Sequence, residues 1–183
     1  MTNAMNTDRG ADVRFPPLRL VSLGFTVLGY DPQPPREPVP DVGLVPLEEL
    51  LRRSDVVSLH ARLTPENRRM FSRDQFARMR RGACFINTSR ESLVDEEALR
   101  HALEQGQLGG AALDVLERVP GRDQHPLLSL PNVFVTPHIG GATAETLARG
   151  AQRAVAAVAD LLAGRIPANV VNPQVLTSQG TPR

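Results

Sequence analysis

The chain has 183 residues, 41% hydrophobic and 22% charged, which is the composition of a globular protein and excludes a disordered or collagen-like one. Its 21 basic and 20 acidic side chains give a net charge of +1 without a block of like charges, which argues against nucleic acid or an anionic membrane surface as a partner. Cys84 is the only cysteine and is expected to be buried. No apolar run approaches the roughly 20 residues of a membrane span, and no secretory signal is evident. We therefore expect a cytoplasmic protein.

Residues 1–17 show little periodicity and are expected to form an irregular arm. From Leu18 onward short apolar runs alternate with helical patterns, which is typical of βαβ units around a parallel sheet. The predicted strands are Thr26–Tyr30, Asp55–His60, Ala83–Asn87, Gly110–Val115 and Asn132–Thr136. The predicted helices are Pro46–Ser54, Pro65–Arg80, Asp95–Gln105 and Ala144–Ala163, the last two ended by Gly106 and Gly164. The pattern predicts an α/β domain over residues 18–164 and a tail over residues 165–183 that contains a strand candidate, Asn169–Asn172.

Polar side chains follow several predicted strands at their carboxyl ends, the edge at which open α/β sheets bind ligands. Arg90 could bind a carboxylate there, or it could pair with a neighbouring acidic side chain. His138 could transfer a proton, or it could be an ordinary loop histidine. Asp31 and Asp114 could bind a ligand or stabilise turns. The histidines and carboxylates show no metal-ligand spacing, so no metal site is expected.

Five segments, in order, carry a resemblance to a known family. They read VLGYDP, LEELLRRSDVVSLHARLTPENRRMF, MRRGACFINTSRESLVDEEAL, GAALDV and HPLLSLPNVFVTPHIGGAT. Over about Leu18–Pro173 the chain resembles the NAD-binding domain of the D-isomer-specific 2-hydroxyacid dehydrogenases, and the ending GRIPANVVN is similar to the C-terminal-binding-protein branch, which includes corepressors. The resemblance implies a Rossmann-like, doubly wound parallel sheet, NAD as the cofactor, a homodimer formed through this domain, and hydride transfer between NAD(H) and a 2-hydroxy or 2-keto acid.

The resemblance also implies a role for individual residues. Arg90 would hold the substrate, and His138 would be the general acid/base. The implied cofactor contacts are Asp31 at the adenine ribose, Leu63 and Thr64 at the adenine, Thr88 and Asp114 at the nicotinamide, and Ser89 and Gly140.

The chain departs from the family pattern at several positions. The glutamate that assists the histidine is replaced by Val119, ahead of Pro120, which leaves Glu117 as the remaining candidate for that role. Glu91 replaces the usual glycine after the arginine. Asp8, Gly10 and Val13 stand where three glycines would form the turn that holds the diphosphate, so one of the three is present.

The central first strand of the sheet and the preceding substrate domain are not recognisable in the sequence. Ala11–Phe15 is the one candidate to fill the place of that strand, and the alternative is a truncated chain from which the strand is missing, with residues 165–183 as a remnant of the substrate domain. We therefore expect an impaired or inactive member of the family. The alternatives are a non-catalytic module for dimerisation or partner binding, of the corepressor type, and a gene fragment.

Overall fold

The computed structural model describes residues 2–7, 15–33, 39–117 and 125–174, without the side chains of residues 2–7 and 15–18. The chain divides into two compact units, Met1–His138 and Ile139–Arg183. The first unit contains the sheet and the residues that follow its strands.

The first unit is built on one parallel sheet of seven strands. The strands are β1 (Thr2–Thr7), β2 (Thr26–Tyr30), β3 (Val42–Leu44), β4 (Val56–His60), β5 (Ala83–Asn87), β6 (Leu108–Leu113) and β7 (Val133–Val135). Their order is β3-β2-β1-β4-β5-β6-β7, so the chain builds outward from β1 in one direction and then from β4 in the other. This doubly wound order confirms the predicted fold class, and its reversal between β1 and β4 marks the crevice where such sheets bind ligands.

Four α-helices belong to this unit: α1 (Phe15–Ser22), α2 (Leu47–Arg53), α3 (Arg73–Arg78) and α4 (Glu96–Glu104). The carboxylate of Asp95 begins α4 by accepting a hydrogen bond from the N–H of Ala98. Gly106 follows its end with a φ of +64°, a left-handed conformation that glycine adopts at little cost. Short 3-10 helices cover Glu91–Leu93 and Pro126–Ser129.

The hydrophobic core lies between one face of the sheet and helices α2 to α4. Its centre is three phenylalanines: the ring centroid of Phe85 lies 4.9 Å from that of Phe71 and 5.3 Å from that of Phe76. Leu59 of β4 and Leu99 of α4 are buried in the same cluster. β4 and β5 therefore lie in the hydrophobic core, and the residues that follow them form part of the candidate site.

The other face of the sheet is less covered over β5 to β7. Ile86, Ala112 and Phe134 are in register across these strands, and Phe134 is 68% exposed. Cys84 of β5 is also exposed, so the expectation that it is buried is wrong. Side chains of a strand point alternately to its two faces, so Cys84 and Ile86 lie on the face opposite to that of buried Phe85.

The central strand corrects the prediction for the N-terminus. Thr2–Thr7 forms β1, with register to both β2 and β4, inside the stretch predicted to be an irregular arm. Thr2–Thr7 therefore fills the place predicted for Ala11–Phe15. Of that segment only Phe15, the first residue of α1, is described; residues 8–14, with Asp8, Gly10 and Val13, lie outside the described residues. The physical reason is charge: Ala11–Phe15 would bring an aspartate and an arginine into the middle of a sheet, whereas Thr2–Thr7 has no charged residue.

Two further predictions need correction. The predicted helix Pro65–Arg80 is helical only over Arg73–Arg78, because Arg69 adopts a left-handed φ of 54° and Asn67 binds the preceding turn through its side chain. The strand candidate Asn169–Asn172 has no strand conformation. The other predicted elements agree with the structure to within about two residues at each end, the usual uncertainty of such boundaries.

The second unit contains one long helix, α5 (Ala144–Leu162). The hydroxyl oxygen of Thr143 accepts a hydrogen bond from the N–H of Thr146 and caps its first turn. None of its residues is buried; Leu147, Val155 and Val158 are more than half exposed. Among the described residues no helix is both long enough and apolar enough to cross a membrane.

Candidate functional site

Three candidate residues of the first unit follow neighbouring strands at the carboxyl edge of the sheet. Arg90 comes after β5, Asp114 directly follows β6, and His138 comes after β7. Adjacent strands lie about 4.8 Å apart, so the strands that lead to Arg90 and His138 are separated by roughly 10 Å. Arg90 and His138 therefore lie at the same edge of the sheet, with Asp114 at the end of the strand between theirs.

The turn that carries Arg90 is held by the last residue of β5. Asn87 is 1% exposed, and its side-chain oxygen accepts hydrogen bonds from the N–H of Ser89 at 3.0 Å and from the Ser89 hydroxyl at 2.8 Å. Its side-chain nitrogen donates to the carbonyl oxygen of Arg90 at 3.0 Å. The guanidinium of Arg90 is exposed and donates to the carbonyl oxygen of Ser89 at 2.6 Å. The backbone is thus fixed while the charged end stays accessible to solvent.

Asp114 joins the ends of three strands. Its N–H donates to the carbonyl oxygen of Asn87 at 2.9 Å, which links β6 to β5. Its carboxylate accepts a hydrogen bond from the hydroxyl of Thr136, the residue after β7. Because Asp114 is only 6% exposed, this charged acceptor is largely screened from water and its bond to Thr136 is of the stronger, charge-assisted kind.

His138 ends this series of hydrogen bonds. Its N–H donates to the carbonyl oxygen of Thr136 at 3.0 Å, so the turn closes around a single residue, Pro137. The φ of His138 is 56°, in the left-handed region that residues other than glycine seldom adopt and that is often found at functional sites. The imidazole is exposed. A continuous set of bonds therefore runs from the Arg90 turn through Asn87, Asp114 and Thr136 to the His138 backbone.

Glu117 has other partners than His138. Its carboxylate forms an exposed ion pair with Arg69 at 3.4 Å, and its N–H donates to a carboxylate oxygen of Glu96 at 2.6 Å. The second oxygen of Glu96 lies 2.9 Å from Nε2 of His125. Among the described residues no ion pair joins Glu117 to His138, and Val119 and Pro120 lie outside these residues.

The residues predicted to contact the cofactor lie in several places. Asp31 follows β2, and its carboxylate accepts a hydrogen bond from the N–H of Gln33 at 2.7 Å, as in an Asx turn. Leu63 is half-buried against the core, and the N–H of Thr64 donates to the side chain of Asn67 at 2.8 Å. Thr88 is exposed in the turn after β5. Gly140 belongs to the second unit.

Three residues of the site region were not singled out from the sequence. Asn87 and Thr136 are polar residues at the carboxyl ends of apolar runs, and this position could have marked them in the sequence as candidate site residues. His60 ends β4, and its Nε2 lies 2.8 Å from the hydroxyl oxygen of Ser58. Burial lowers the pKa of His60, which favours its neutral form. In the part of the chain that is described, no group of three or more histidine, cysteine, aspartate or glutamate side chains could hold a metal ion.

Comparison with known proteins identifies relatives over most of the chain. The family model described as D-isomer specific 2-hydroxyacid dehydrogenase, NAD binding domain, matches residues 18–140. A glyoxylate reductase of Korarchaeum cryptofilum is 41% identical over 160 residues, which are 86% of this chain and 48% of that protein. A glycerate dehydrogenase of Methylorubrum extorquens is 42% identical over 155 residues, 84% of this chain and 47% of that protein.

Solved structures show the same similarity. The TT0316 protein of Thermus thermophilus superimposes with a TM-score of 0.84 at 41% identity, over 93% of this chain and 53% of that one. A D-isomer specific 2-hydroxyacid dehydrogenase of Lactobacillus delbrueckii, in its NAD-complexed form, has a TM-score of 0.84 at 27% identity, over 93% and 56% of the two chains. The chain thus spans about half the length of these relatives.

Proposed function

Because the chain belongs to the D-isomer-specific 2-hydroxyacid dehydrogenase family through its NAD-binding domain, we propose that it contributes to hydride transfer between NAD(H) and a 2-hydroxy or 2-keto acid. The observation that carries this proposal is the location of Arg90 and His138 on the same sheet edge, two strands apart. An anion-binding group and a proton-transferring group at that spacing suit a small acid whose carboxylate and reacting oxygen are on adjacent carbons.

The residues at the carboxyl edge fit NAD. Asp31 follows β2, next to the strand at which the sheet order reverses, and a carboxylate there can accept hydrogen bonds from ribose hydroxyls in addition to the Gln33 N–H. Thr88 and Asp114 follow β5 and β6, where they would contact the nicotinamide. When bound, NAD(H) supplies or accepts the hydride. The chain's own side chains would bind the substrate and exchange the proton.

Arg90 would bind the substrate carboxylate. A guanidinium has five N–H donors in a planar fork that matches a carboxylate, and one hydrogen bond to Ser89 leaves most of them for a ligand. Its exposure keeps it accessible, and the bonds from Asn87 reduce the backbone freedom that binding would otherwise have to restrict.

His138 would exchange a proton with the oxygen at the reacting carbon. The fixed backbone turn defines where its ring can lie, and the ring is open to solvent for proton exchange. The family glutamate is replaced by Val119, and Glu117 is engaged by Arg69, so we expect proton transfer to be less assisted than in relatives that have the glutamate. With Asp8 and Val13 at two of the three glycine positions, we also expect weak cofactor binding and very slow turnover by these 183 residues.

Ligand binding by the 183-residue chain tests the proposal. NADH is titrated by calorimetry, and oxamate, an amide analogue of a 2-keto acid, is then titrated in the presence of NADH. We expect NADH to bind with an affinity weaker than micromolar. Replacing Arg90 by alanine should weaken oxamate binding by about tenfold or more, whereas Arg52→Ala, an exposed arginine on α2, should have no effect.

Catalysis is measured as NADH oxidation with glyoxylate and pyruvate. We expect any turnover above background to be lost in His138→Ala and kept in His101→Ala, an exposed histidine of α4. The proposal is wrong if neither NADH nor oxamate binds at millimolar concentration. Fast, steady turnover would leave the assignment intact and contradict the expected weakness of the phosphate-binding turn.

We further propose a homodimer in the cytoplasm. The dimer is implied by the family resemblance. Light scattering coupled to gel filtration should give twice the monomer mass; a monomer at all concentrations would contradict it. A dimer that persists while NADH and oxamate both fail to bind would instead favour the non-catalytic module, a role that Val119 also favours.

A further inference from the structure

We propose that Asn87 is a positioning residue that sets the carboxylate affinity of Arg90, an inference that rests on the proposed substrate-binding role of Arg90. Asn87 ends β5 in the well-packed part of the sheet and is 1% exposed. An amide at such a position is costly to bury without hydrogen bonds. The three hydrogen bonds of its side chain go to the following residues, two to Ser89 and one to Arg90, and together they tie the turn to the strand.

These contacts act on the backbone next to the guanidinium. The Asn87 amide donates to the carbonyl oxygen of Arg90 and accepts from the N–H of Ser89. It therefore restrains the peptide unit after Arg90 and the peptide unit between Thr88 and Ser89. The Ser89 carbonyl oxygen, in turn, accepts from the Arg90 guanidinium at 2.6 Å. Loss of the amide would therefore release both the backbone and the internal bond that orients the charged group.

The same residue also couples the arginine to the opposite end of the site. The carbonyl oxygen of Asn87 accepts from the N–H of Asp114, whose carboxylate accepts from Thr136, whose carbonyl oxygen accepts from the N–H of His138. Substituting the Asn87 side chain leaves its backbone carbonyl in place. We therefore expect the arginine side of the site to loosen while the Asp114 and His138 turns keep their bonds.

Two variants of Asn87 separate its contacts. Asn87→Asp retains an acceptor for Ser89 and loses the donor to the Arg90 carbonyl oxygen, and Asn87→Ala loses all three bonds. Asn132→Ala is the matched control, because the Asn132 side chain donates to Gly109 at the other end of the sheet. Oxamate and NADH affinities are measured for each full-length variant. We expect the oxamate affinity to fall about tenfold in both Asn87 variants. NADH affinity should fall by a clearly smaller factor, because Thr88 and Ser89 supply only part of the proposed cofactor contacts, and neither affinity should change in the control.

A second measurement does not depend on substrate binding. The order parameter of the Arg90 backbone amide, from ¹⁵N relaxation, should lie near 0.85 in the natural chain and in Asn132→Ala and fall below about 0.6 in Asn87→Ala. If the natural chain does not bind oxamate, the substrate-binding role of Arg90 fails, and with it the effect of Asn87 on affinity. The order parameter then tests only whether Asn87 fixes the Arg90 turn: a drop upholds that positioning role and an unchanged value overturns it. The inference is also overturned if both Asn87 variants bind oxamate normally, or if the oxamate and NADH affinities fall by the same factor, which a general loss of structure would cause.

Discussion

Replacing Thr136 by valine removes one hydroxyl and keeps the shape of the side chain, so it tests one of the bonds that join the ends of β6 and β7 at the site. The hydroxyl of Thr136 donates to the Asp114 carboxylate, which is 6% exposed. A hydrogen bond to a charged group contributes about 1.5–3 kcal/mol, and the buried carboxylate would find no easy replacement in water. We expect the free energy of unfolding to fall by about 2 kcal/mol, equivalent to a Tm lower by roughly 4–8 °C.

Urea unfolding at pH 7, followed by circular dichroism, measures this loss. Thr26→Val is the control, because it makes the same chemical change on an exposed side chain of β2. It should alter stability by no more than about 0.5 kcal/mol. In a double-mutant cycle, Thr136→Val and Asp114→Ala, each of which removes one partner of this bond, should show a coupling energy of about 1 kcal/mol or more. Equal losses in Thr136→Val and Thr26→Val, or no coupling to Asp114, would refute this account of the strand ends.

Three further substitutions test other parts of the structure. Phe85→Ala should lower the free energy of unfolding by about 3–5 kcal/mol, since Phe85 is fully buried between two other rings; a loss below about 1.5 kcal/mol in urea would contradict that packing. Burial lowers the pKa of His60 in the folded chain, so the unfolded chain binds this proton at a higher pH. The free energy of unfolding should therefore fall as the pH drops below about 6.5, by at most about 1.4 kcal/mol per pH unit. Unfolding curves at several pH values should show that His60→Gln removes this part of the pH dependence and His101→Gln does not. Glu96→Ala, which loses the bonds to His125 and to the N–H of Glu117, should cost about 2 kcal/mol and speed hydrogen exchange at Glu117; unchanged exchange would show that Glu96 does not hold this segment.

The sequence predicted the elements that are buried and regular. The strands β2 and β5 have the predicted bounds, because each is a short apolar run between turn residues. The family resemblance and the NAD-binding fold are likewise confirmed by the comparisons. In contrast, β1 was missed, because Thr2–Thr7 is a mostly polar run without the β-branched apolar pattern of a central strand. Its place follows from parallel pairing with β2 and β4, which no local pattern encodes.

The site was predictable at the level of which edge it occupies. Arg90, Asp114 and His138 each follow an apolar strand, and the rule that ligands bind at the carboxyl edge placed them together. The bonds between them could not be foreseen, because the contact of Asp114 with Thr136 depends on β6 and β7 being neighbours in the sheet. The ion pair of Glu117 with Arg69 joins residues 48 positions apart and depends on a left-handed turn at Arg69.

The most direct test of the central claim follows the side-chain NMR signals of Arg90 and His138 in one titration. Oxamate is added to the 183-residue chain in the presence of NADH, and the Arg90 Nε and His138 ring resonances are recorded. If both side chains bind one ligand at the carboxyl edge of the sheet, their shifts follow the same saturation curve and yield one Kd. Shifts of only one of them, or two different Kd values, would contradict a shared site.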